Sequence, residues 1–370
     1  MRGSGDRGSG AHSDTPSPAE VLRIAASGRA GASLQQRVLQ DLLDAGQPCT
    51  SRQVVDELRA RAGVAAGRDL ARVMTRLAAL GGRLVVAGDE RYPSLLADAW
   101  PELGAPVWLF VAGVRPPVER RPAVAIVGTR IPSLDGARTA RRLGAALAEA
   151  GVVVVSGLAR GIDQAAHHGA LDVGGCTVAV LGTGLGVDYP ARTSPLRDAI
   201  AASGAVLSEL LPGVGPRPWQ FLERNRIISG LADATVVVEG RETSGALQTA
   251  RLAAGQGRDV WAVPGSINAP TSAAPLALLR DGARPLTSID ELVTCVAATA
   301  GHGGHADSPA PTTTLSPSAR TVLDLLGPVP ASTDALVAAG TLPAQVVMVA
   351  VAELVDLGLG AVTANGVVRV

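Results

Sequence analysis

Four stretches of the chain carry residue types suited to holding phosphate. The first is Ser156-Gly157-Leu158-Ala159-Arg160-Gly161-Ile162-Asp163, which follows the valines Val152 to Val155. Four consecutive valines read as a strand buried on both faces. Helical spacing then resumes from Asp163 (Ala166, Ala170, Leu171). A strand, a glycine loop and a helix in that order aim backbone N–H groups and a positive helix end at whatever lies above the strand, and Arg160 adds a full charge. The second stretch, Gly128-Thr129-Arg130, follows the strand Val124 to Val127. The third is Phe221-Leu222-Glu223-Arg224-Asn225-Arg226, in a chain with two phenylalanines in all. Arginine supplies bidentate phosphate contacts and stacks on aromatic faces, and single-stranded nucleic acid needs a stacking surface with phosphate partners. A solvated helix face would equally explain the arginines, but it would leave Phe221 and the preceding Pro216-Arg217-Pro218-Trp219 without a role. The fourth, Ser244-Gly245, opens another helix whose first N–H groups are free.

These groups meet only if the elements between them form one sheet. Strands are expected at 107–111, 124–127, 152–155, 177–181, 205–207, 235–239 and 259–263. Helices are expected between them at 136–150, 163–174, 194–203, 221–231 and 244–256. Repeated βα units of this length imply an α/β fold with a doubly wound parallel sheet, in which ligands bind outside the carboxyl ends of the strands. Nearly every such end here is polar or flexible: Gly128-Thr129-Arg130, Ser156-Gly157, Gly182-Thr183-Gly184, Ser208-Glu209, Glu239-Gly240-Arg241 and Pro264-Gly265-Ser266.

Composition removes several function classes. All 33 basic residues are arginine, so a P-loop lysine, a Schiff-base lysine and a lysine general base are impossible. Balanced charge gives no global argument for nucleic acid. The three cysteines, Cys49, Cys176 and Cys295, have no metal-site spacing, and His302 and His305 are too few for one; neither metal nor cofactor is expected. Apolar runs are far shorter than the ~18 residues of a membrane span, and the first residues lack the apolar core of a signal peptide. A cytosolic protein is expected.

The chain divides by composition. Residues 1–32 are rich in Gly, Ser, Pro and Arg and read as a disordered tail. Helical spacing marks a small helical domain over 33–90, the alternating region runs over 91–298, and 299–314 reads as a flexible linker. Over 315–370, three helical stretches (319–326, 333–339, 343–357) precede a hairpin around Asn365-Gly366. Three helices closed by a hairpin make a winged helix. Its last helix carries Glu353 and Asp356 without an arginine, which disfavours DNA reading.

Two motifs invite a stronger reading than they support. Gly182-Thr-Gly-Leu-Gly-Val187 has valine where a dinucleotide fingerprint needs glycine, so it reads as a turn leading to Asp188-Tyr189-Pro190. Asp163 and His167, at i, i+4, read as a helix cap and a hydrogen-bonded crevice-wall histidine.

Taken together the motifs resemble the DNA-processing protein A (DprA or Smf) family. They comprise Tyr92-Pro93-x-x-Leu96, Ile126-Val-Gly-Thr-Arg130, Ser156-Gly-Leu-Ala-Arg-Gly-Ile-Asp163, His167-x-Gly-Ala-Leu171, Asp188-Tyr-Pro190, Ser208-Glu209, Arg224-Asn-Arg-Ile-Ile228, Ser244-Gly-x-Leu247, Thr249-Ala250, Gly257-Arg-Asp-Val260, Pro264-Gly265 and Gly282-Ala283. The resemblance implies a Rossmann-like core between a SAM-like helical domain and a winged helix. It implies binding and protection of single-stranded DNA, loading of the RecA recombinase in natural transformation, and homodimerisation, with no catalysed reaction. Carried over by position, Arg130 in the Gly128-Thr129-Arg130 turn, the loop with Gly157, Arg160 and Gly161, and the arginines Arg224 and Arg226 grip phosphate, with Asn225 between them counted among the DNA-binding residues. Phe221 offers a stacking face, and the helix start at Ser244 and Gly245, on the strength of its free N–H groups, is expected to bind DNA beside them. Where the family has glycine and asparagine after Pro264-Gly265, this chain has Ser272-Ala-Ala274-Pro-Leu276, so contacts there are expected to be lost or remade. The competing reading is a nucleotide-processing enzyme of the phosphoribohydrolase type, with Glu209 or Glu239 as its carboxylate.

Overall fold

The computed structural model describes residues 15–47, 49–64, 67–99, 104–115, 120–301, 317–326, 331–339, 342–356, 360–363 and 366–369. It divides into two compact units, 1–304 and 305–370.

In the first unit the chain runs α1 (Pro18–Ala25), α2 (Ala32–Asp44), α3 (Ser51–Ala62), α4 (Gly67–Ala79), β1 (Gly82–Val86), α5 (Ser94–Ala97) and β2 (Trp108–Ala112). The alternating region follows: β3 (Ala123–Val127), α6 (Leu134–Glu149), β4 (Val153–Ser156), α7 (Ile162–Asp172), β5 (Thr177–Val180), α8 (Ser194–Ser203), β6 (Ala205–Ser208), α9 (Pro218–Gly230), β7 (Ala234–Val237), α10 (Gly245–Gly255) and β8 (Asp259–Ala262). After it come α11 (Ala273–Arg280), β9 (Arg284–Pro285) and α12 (Ile289–Gly301). Among the described residues the strands form one sheet in the order β1-β2-β6-β5-β4-β3-β7-β8-β9. Pairing is parallel from β6 to β9, while β2 joins β6, and β1 joins β2, antiparallel.

Period-two alternation sorts the strand residues between two faces. Ala123, Ala125 and Val127 of β3, with Val178 and Val180 of β5, meet Ile227, Ile228 and Leu231 from α9 and its cap and Ala246, Leu247 and Ala250 of α10. On the other face Val124, Ile126 and Val154 meet Leu143 and Leu147 of α6 and Ile162, Ala166 and Ala170 of α7. Further along that face Trp108, Phe110 and Val206 pack against Val21 and Ile24 of α1, Val38 of α2 and Leu58 of α3. Each fully buried Val, Leu, Ile or Phe side chain among them contributes roughly 1.5–3 kcal/mol, and each alanine less.

The expected boundary at 90 therefore changes. The front helices are not a separate domain: they cover half of one sheet face, and β1 is a strand of that same sheet. Buried Gln35 of α2 ties the two directly, its Oε1 accepting from Val107 N–H at 3.0 Å. The tail expected over 1–32 is corrected in the same way for its described part. Residues 18–25 are helical because Ser17 and Glu20 form a capping box, Ser17 Oγ accepting from Glu20 N–H and Glu20 Oε2 accepting from Ser17 N–H at 3.0 Å. Val21, Leu22, Ile24 and Ala25 then bury one face. Residues 1–14 lie outside the described residues. So does most of the expected linker, since α12 continues to Gly301 and description resumes at Pro317.

Helices α6 and α7 cross in unusually close contact. A Cβ on Gly144 would stand 2.3 Å from the Ala166 carbonyl oxygen, and one on Gly169 would stand 2.0 Å from that of Arg141. Only glycine permits both approaches.

The second unit has α13 (Pro317–Leu325), α14 (Thr333–Ala339), α15 (Ala344–Asp356) and the antiparallel pair β10 (Gly360–Thr363) and β11 (Gly366–Arg369). Val322 and Leu326, Leu336, and Val347, Ala350 and Leu354 form its core. Three helices and a hairpin in this order are a winged helix, as the spacing predicts.

Candidate nucleic-acid interface

The sheet order reverses direction at β3. The connection after β3 leads through α6 to β4 on one side, whereas that after β7 leads through α10 to β8 on the other. Carboxyl ends that diverge in this way leave a crevice at the switch point. A cleft of about 430 Å³ lies there. Gly128, Thr129 and Arg130 form one wall, Arg241, Thr243, Ser244 and Gly245 the other, and Phe221, Arg224 and Asn225 of α9 join them. Eight of the twelve expected site residues are thereby brought together.

Arg130 is exposed, and its guanidinium carbon lies 5.6 Å from the centroid of the Phe221 ring, a cation–π arrangement. On the same ring Tyr189 packs at 5.2 Å between centroids, tilted by 41°. Tyr189 is not among the cleft-lining residues but buttresses Phe221, a support that sequence reasoning missed. Its signal was present, as one of two tyrosines in the chain, held inside Asp188-Tyr189-Pro190. Asp188 fixes that turn by accepting from the N–H groups of Arg192, Thr193 and Ser194 at 2.9, 3.0 and 2.9 Å. These hydrogen bonds hold its carboxyl down at about 2. Gly182 also belongs to this arrangement, because a Cβ there would fall 2.5 Å from the Phe221 ring. The fingerprint-like glycine thus makes room for an aromatic ring. Gly182→Ala should fold normally, since the ring can swing away, and should weaken ligand binding as much as Phe221→Ala; thermal unfolding and binding titrations on both variants check this.

The remaining expected residues need correction. Gly157 does not present a free N–H to the cleft: Asp163 Oδ2 accepts from Gly157 N–H at 3.1 Å and from Ala159 N–H at 3.3 Å. The helix begins after Gly161, so Asp163 reaches back to brace the loop instead of capping the helix. Gly161, at φ 85°, is pressed against the Thr129 and Arg130 backbone and serves the chain's path. Arg160 is exposed but stands outside the cleft lining. Arg226 is buried in an ion pair, Nη2 to Glu209 Oε1 at 2.7 Å, and does not line the cleft.

Arg224 lines the cleft floor but is itself buried, with Nη1 donating to the Gly157 carbonyl at 2.8 Å and also to that of Val180. Burial pushes its pKa down to about 10 while Asp163 pulls it up, so it stays charged at neutral pH. Burial likewise raises Asp163 to about 6 against the lowering effect of Arg224. Arg224 is thus a clamp that joins the ends of β4 and β5 under the cleft, where its charge stands against that of Asp163, which lines the same floor.

Both candidate carboxylates for an enzymatic reading are engaged. Glu209 pairs with Arg226, and Glu239 accepts from Ser133 N–H at 2.9 Å and Ser133 Oγ at 2.6 Å at the start of α6. Ala274 is buried, and its N–H donates to the Gly240 carbonyl at 2.9 Å. That main-chain bond supports the loop after β7 and does not depend on which side chain stands at 274. Among the described residues no cluster of metal-ligating side chains occurs and no helix is long and apolar enough to cross a membrane; His302 and His305 lie outside those residues.

A doubly wound sheet with an arginine-lined, aromatic-bearing cleft at its switch point, followed in the chain by three helices and a hairpin, defines a Rossmann-like protein with an appended winged helix. The family model for DNA recombination-mediator protein A matches residues 83–297, and that for the DprA winged helix domain matches 306–354. The chain belongs to the DprA/Smf family. A relative from Mycobacterium tuberculosis is 41% identical over 313 residues, covering 80% of this chain and 79% of that one. The X-ray structure of DNA processing protein A from Streptococcus pneumoniae superposes with a TM-score of 0.61 at 33% identity, covering 76% of this chain and 98% of that one. DNA processing protein A from Helicobacter pylori, whose structure addresses the single-stranded DNA binding mode of that protein, gives 0.53 at 26% identity, covering 59% and 96%.

Proposed function

We propose that this protein binds single-stranded DNA in the switch-point cleft and loads RecA recombinase onto it in natural transformation, acting as a cytoplasmic homodimer and catalysing no reaction. The observation that carries the reading is the exposed Arg130 guanidinium set over Phe221 in the switch-point cleft. Arginine meets a phosphate and the ring meets a base, which is the pairing that sequence-tolerant single-strand binding requires. Stacking needs an unpaired base, so duplex should compete poorly.

Affinity is expected to fall with salt. Arg130→Ala should reduce the slope of log affinity against log salt by about 0.7, the share of one single-strand phosphate, and weaken binding across sequences. Phe221→Ala should cost roughly 1–3 kcal/mol with the slope unchanged. Fluorescence titrations of single-stranded and duplex oligonucleotides measure both. Equal affinity for the two forms, or indifference to both substitutions, would overturn the reading. Its finer parts have their own measurements: faster RecA filament assembly on single strands, a dimer in sedimentation, and no release of free base from nucleoside monophosphates.

A further inference from the structure

Beside the cleft stands a second arginine–aromatic stack. Arg217 holds its guanidinium carbon 5.3 Å from the centroid of the Trp219 ring. Trp219 is 52% exposed, whereas Trp108 and Trp261 are buried in the core. It sits in the first turn of α9, two residues before Phe221. Positions two apart on a helix point in different directions, while those three apart are neighbours. Trp219 therefore lies next to Leu222, which lines the cleft and is itself 49% exposed. Pro218, Trp219 and Leu222 make a continuous apolar rim leading out of the cleft. The carboxylate on this turn, Glu223, is taken by Ser33 Oγ at 2.5 Å. The backbone start of the helix is pinned by Gln220 Oε1 accepting from Arg217 N–H at 2.8 Å.

We propose that Trp219 and Arg217 form a second base-stacking subsite, which receives a nucleotide of the same DNA strand after it passes over Leu222. The inference rests on the proposed single-strand binding. Continuity with the cleft and the repeated chemistry favour it: each stack pairs one π face with one cation, as stacking along a strand demands. Trp219 leaves about half of its surface in water, so the fold uses far less of this ring than it does of the buried Trp108 and Trp261.

Fluorescein-labelled dT3 and dT12, titrated against the full chain, separate the subsites. Trp219→Ala is expected to weaken dT12 binding roughly 5- to 150-fold without altering its salt slope, and to leave dT3 within twofold. Trp219→Phe should retain most of the affinity, and Trp219→Leu should behave like alanine, since the ring face and not apolarity is needed. Arg217→Ala should reduce the dT12 salt slope by about 0.7. Unchanged dT12 affinity in Trp219→Ala, with Arg130→Ala still impaired, overturns the subsite and spares the cleft. Equal losses on dT3 and dT12 overturn it as well, since Trp219 would then act through the cleft. A change in sedimentation with DNA affinity intact would assign the ring to a protein contact instead. Failure of the wild-type chain to bind either oligonucleotide overturns the functional reading itself.

Discussion

Replacing Arg226 with leucine should destabilise the protein by roughly 3–5 kcal/mol, the usual consequence of removing one member of a buried ion pair. Arg226 and Glu209 are 5% and 7% exposed, and their 2.7 Å contact leaves neither with water as an alternative partner. Burial already pushes the Glu209 carboxyl upward, and the Arg226 charge is what opposes that rise. Without the guanidinium, Glu209 must either remain charged in an apolar setting or take up a proton. Changing both residues, as Glu209→Gln with Arg226→Met, should cost much less than the two single changes added together, because no charge is left stranded. Urea unfolding of the four proteins measures the coupling. A loss below about 1 kcal/mol in Arg226→Leu would show that the pair is solvated. The contrast with Arg130 is informative: Arg130→Ala should alter DNA affinity and leave unfolding unchanged, whereas Arg226→Leu should do the reverse until the fold fails.

The second large effect concerns acid. His167 is fully buried, and its Nδ1 lies 2.7 Å from Thr177 Oγ1. The Thr177 hydroxyl gives its proton to the Val154 carbonyl at 2.8 Å, so it accepts from His167 Nδ1–H. Nε2 then carries a lone pair with no partner, and the ring is neutral. Burial lowers its pKa to about 3, with the charges of His168 and Arg224 adding to the effect. The unfolded chain protonates this histidine near 6.5 while the folded chain does not. Stability is therefore whole above 6.5 and lost at about 1.4 kcal/mol per pH unit as pH falls toward 3.

Asp163 works in the opposite sense. Its folded pKa of about 6 exceeds that of the unfolded residue, so the folded chain takes up a proton first, and stability rises as pH falls from 6 to about 4. Between those values the two contributions offset each other. His167→Gln should therefore become more stable relative to wild type as pH is lowered from 6.5 to 3, at that same slope. Asp163→Asn should become less stable relative to wild type from 6 to 4. Denaturant titrations across this range test both signs, and parallel pH profiles for the three proteins would refute the assignment.

Much of this was legible beforehand, for identifiable reasons. The strands of the parallel core announce themselves as short β-branched runs, because both faces of each are covered. Arg130, Phe221, Ser244 and Gly245 reach the cleft because residues at strand ends and helix starts have their positions set by topology. What could not be read was the direction of a charged side chain within an element. In Arg224-Asn225-Arg226 three consecutive polar residues look equivalent, but helical geometry turns Arg226 toward Glu209 and Arg224 under the glycine loop. The fate of the N–H groups at Gly157 and Ala159 was hidden in the same way, since only the folded loop brings Asp163 within reach of both. The front helices were recognised, but their ownership was not. Amphipathic spacing says that a face is buried and is silent about against what, and here the answer is the sheet.

The glycine-mediated crossing of α6 and α7 bears on how a strand would be received. The Arg130 turn opens directly into α6, and the Gly157–Gly161 loop opens directly into α7. With Gly144 and Gly169 locking the two helices backbone to backbone, these loops ride on one rigid block. The wall of the cleft that carries Arg130 is thus preorganised, and a strand received there would cost that wall little main-chain freedom. The ordering cost falls on a few side chains, Arg130 foremost, at roughly 0.5–1.5 kcal/mol apiece.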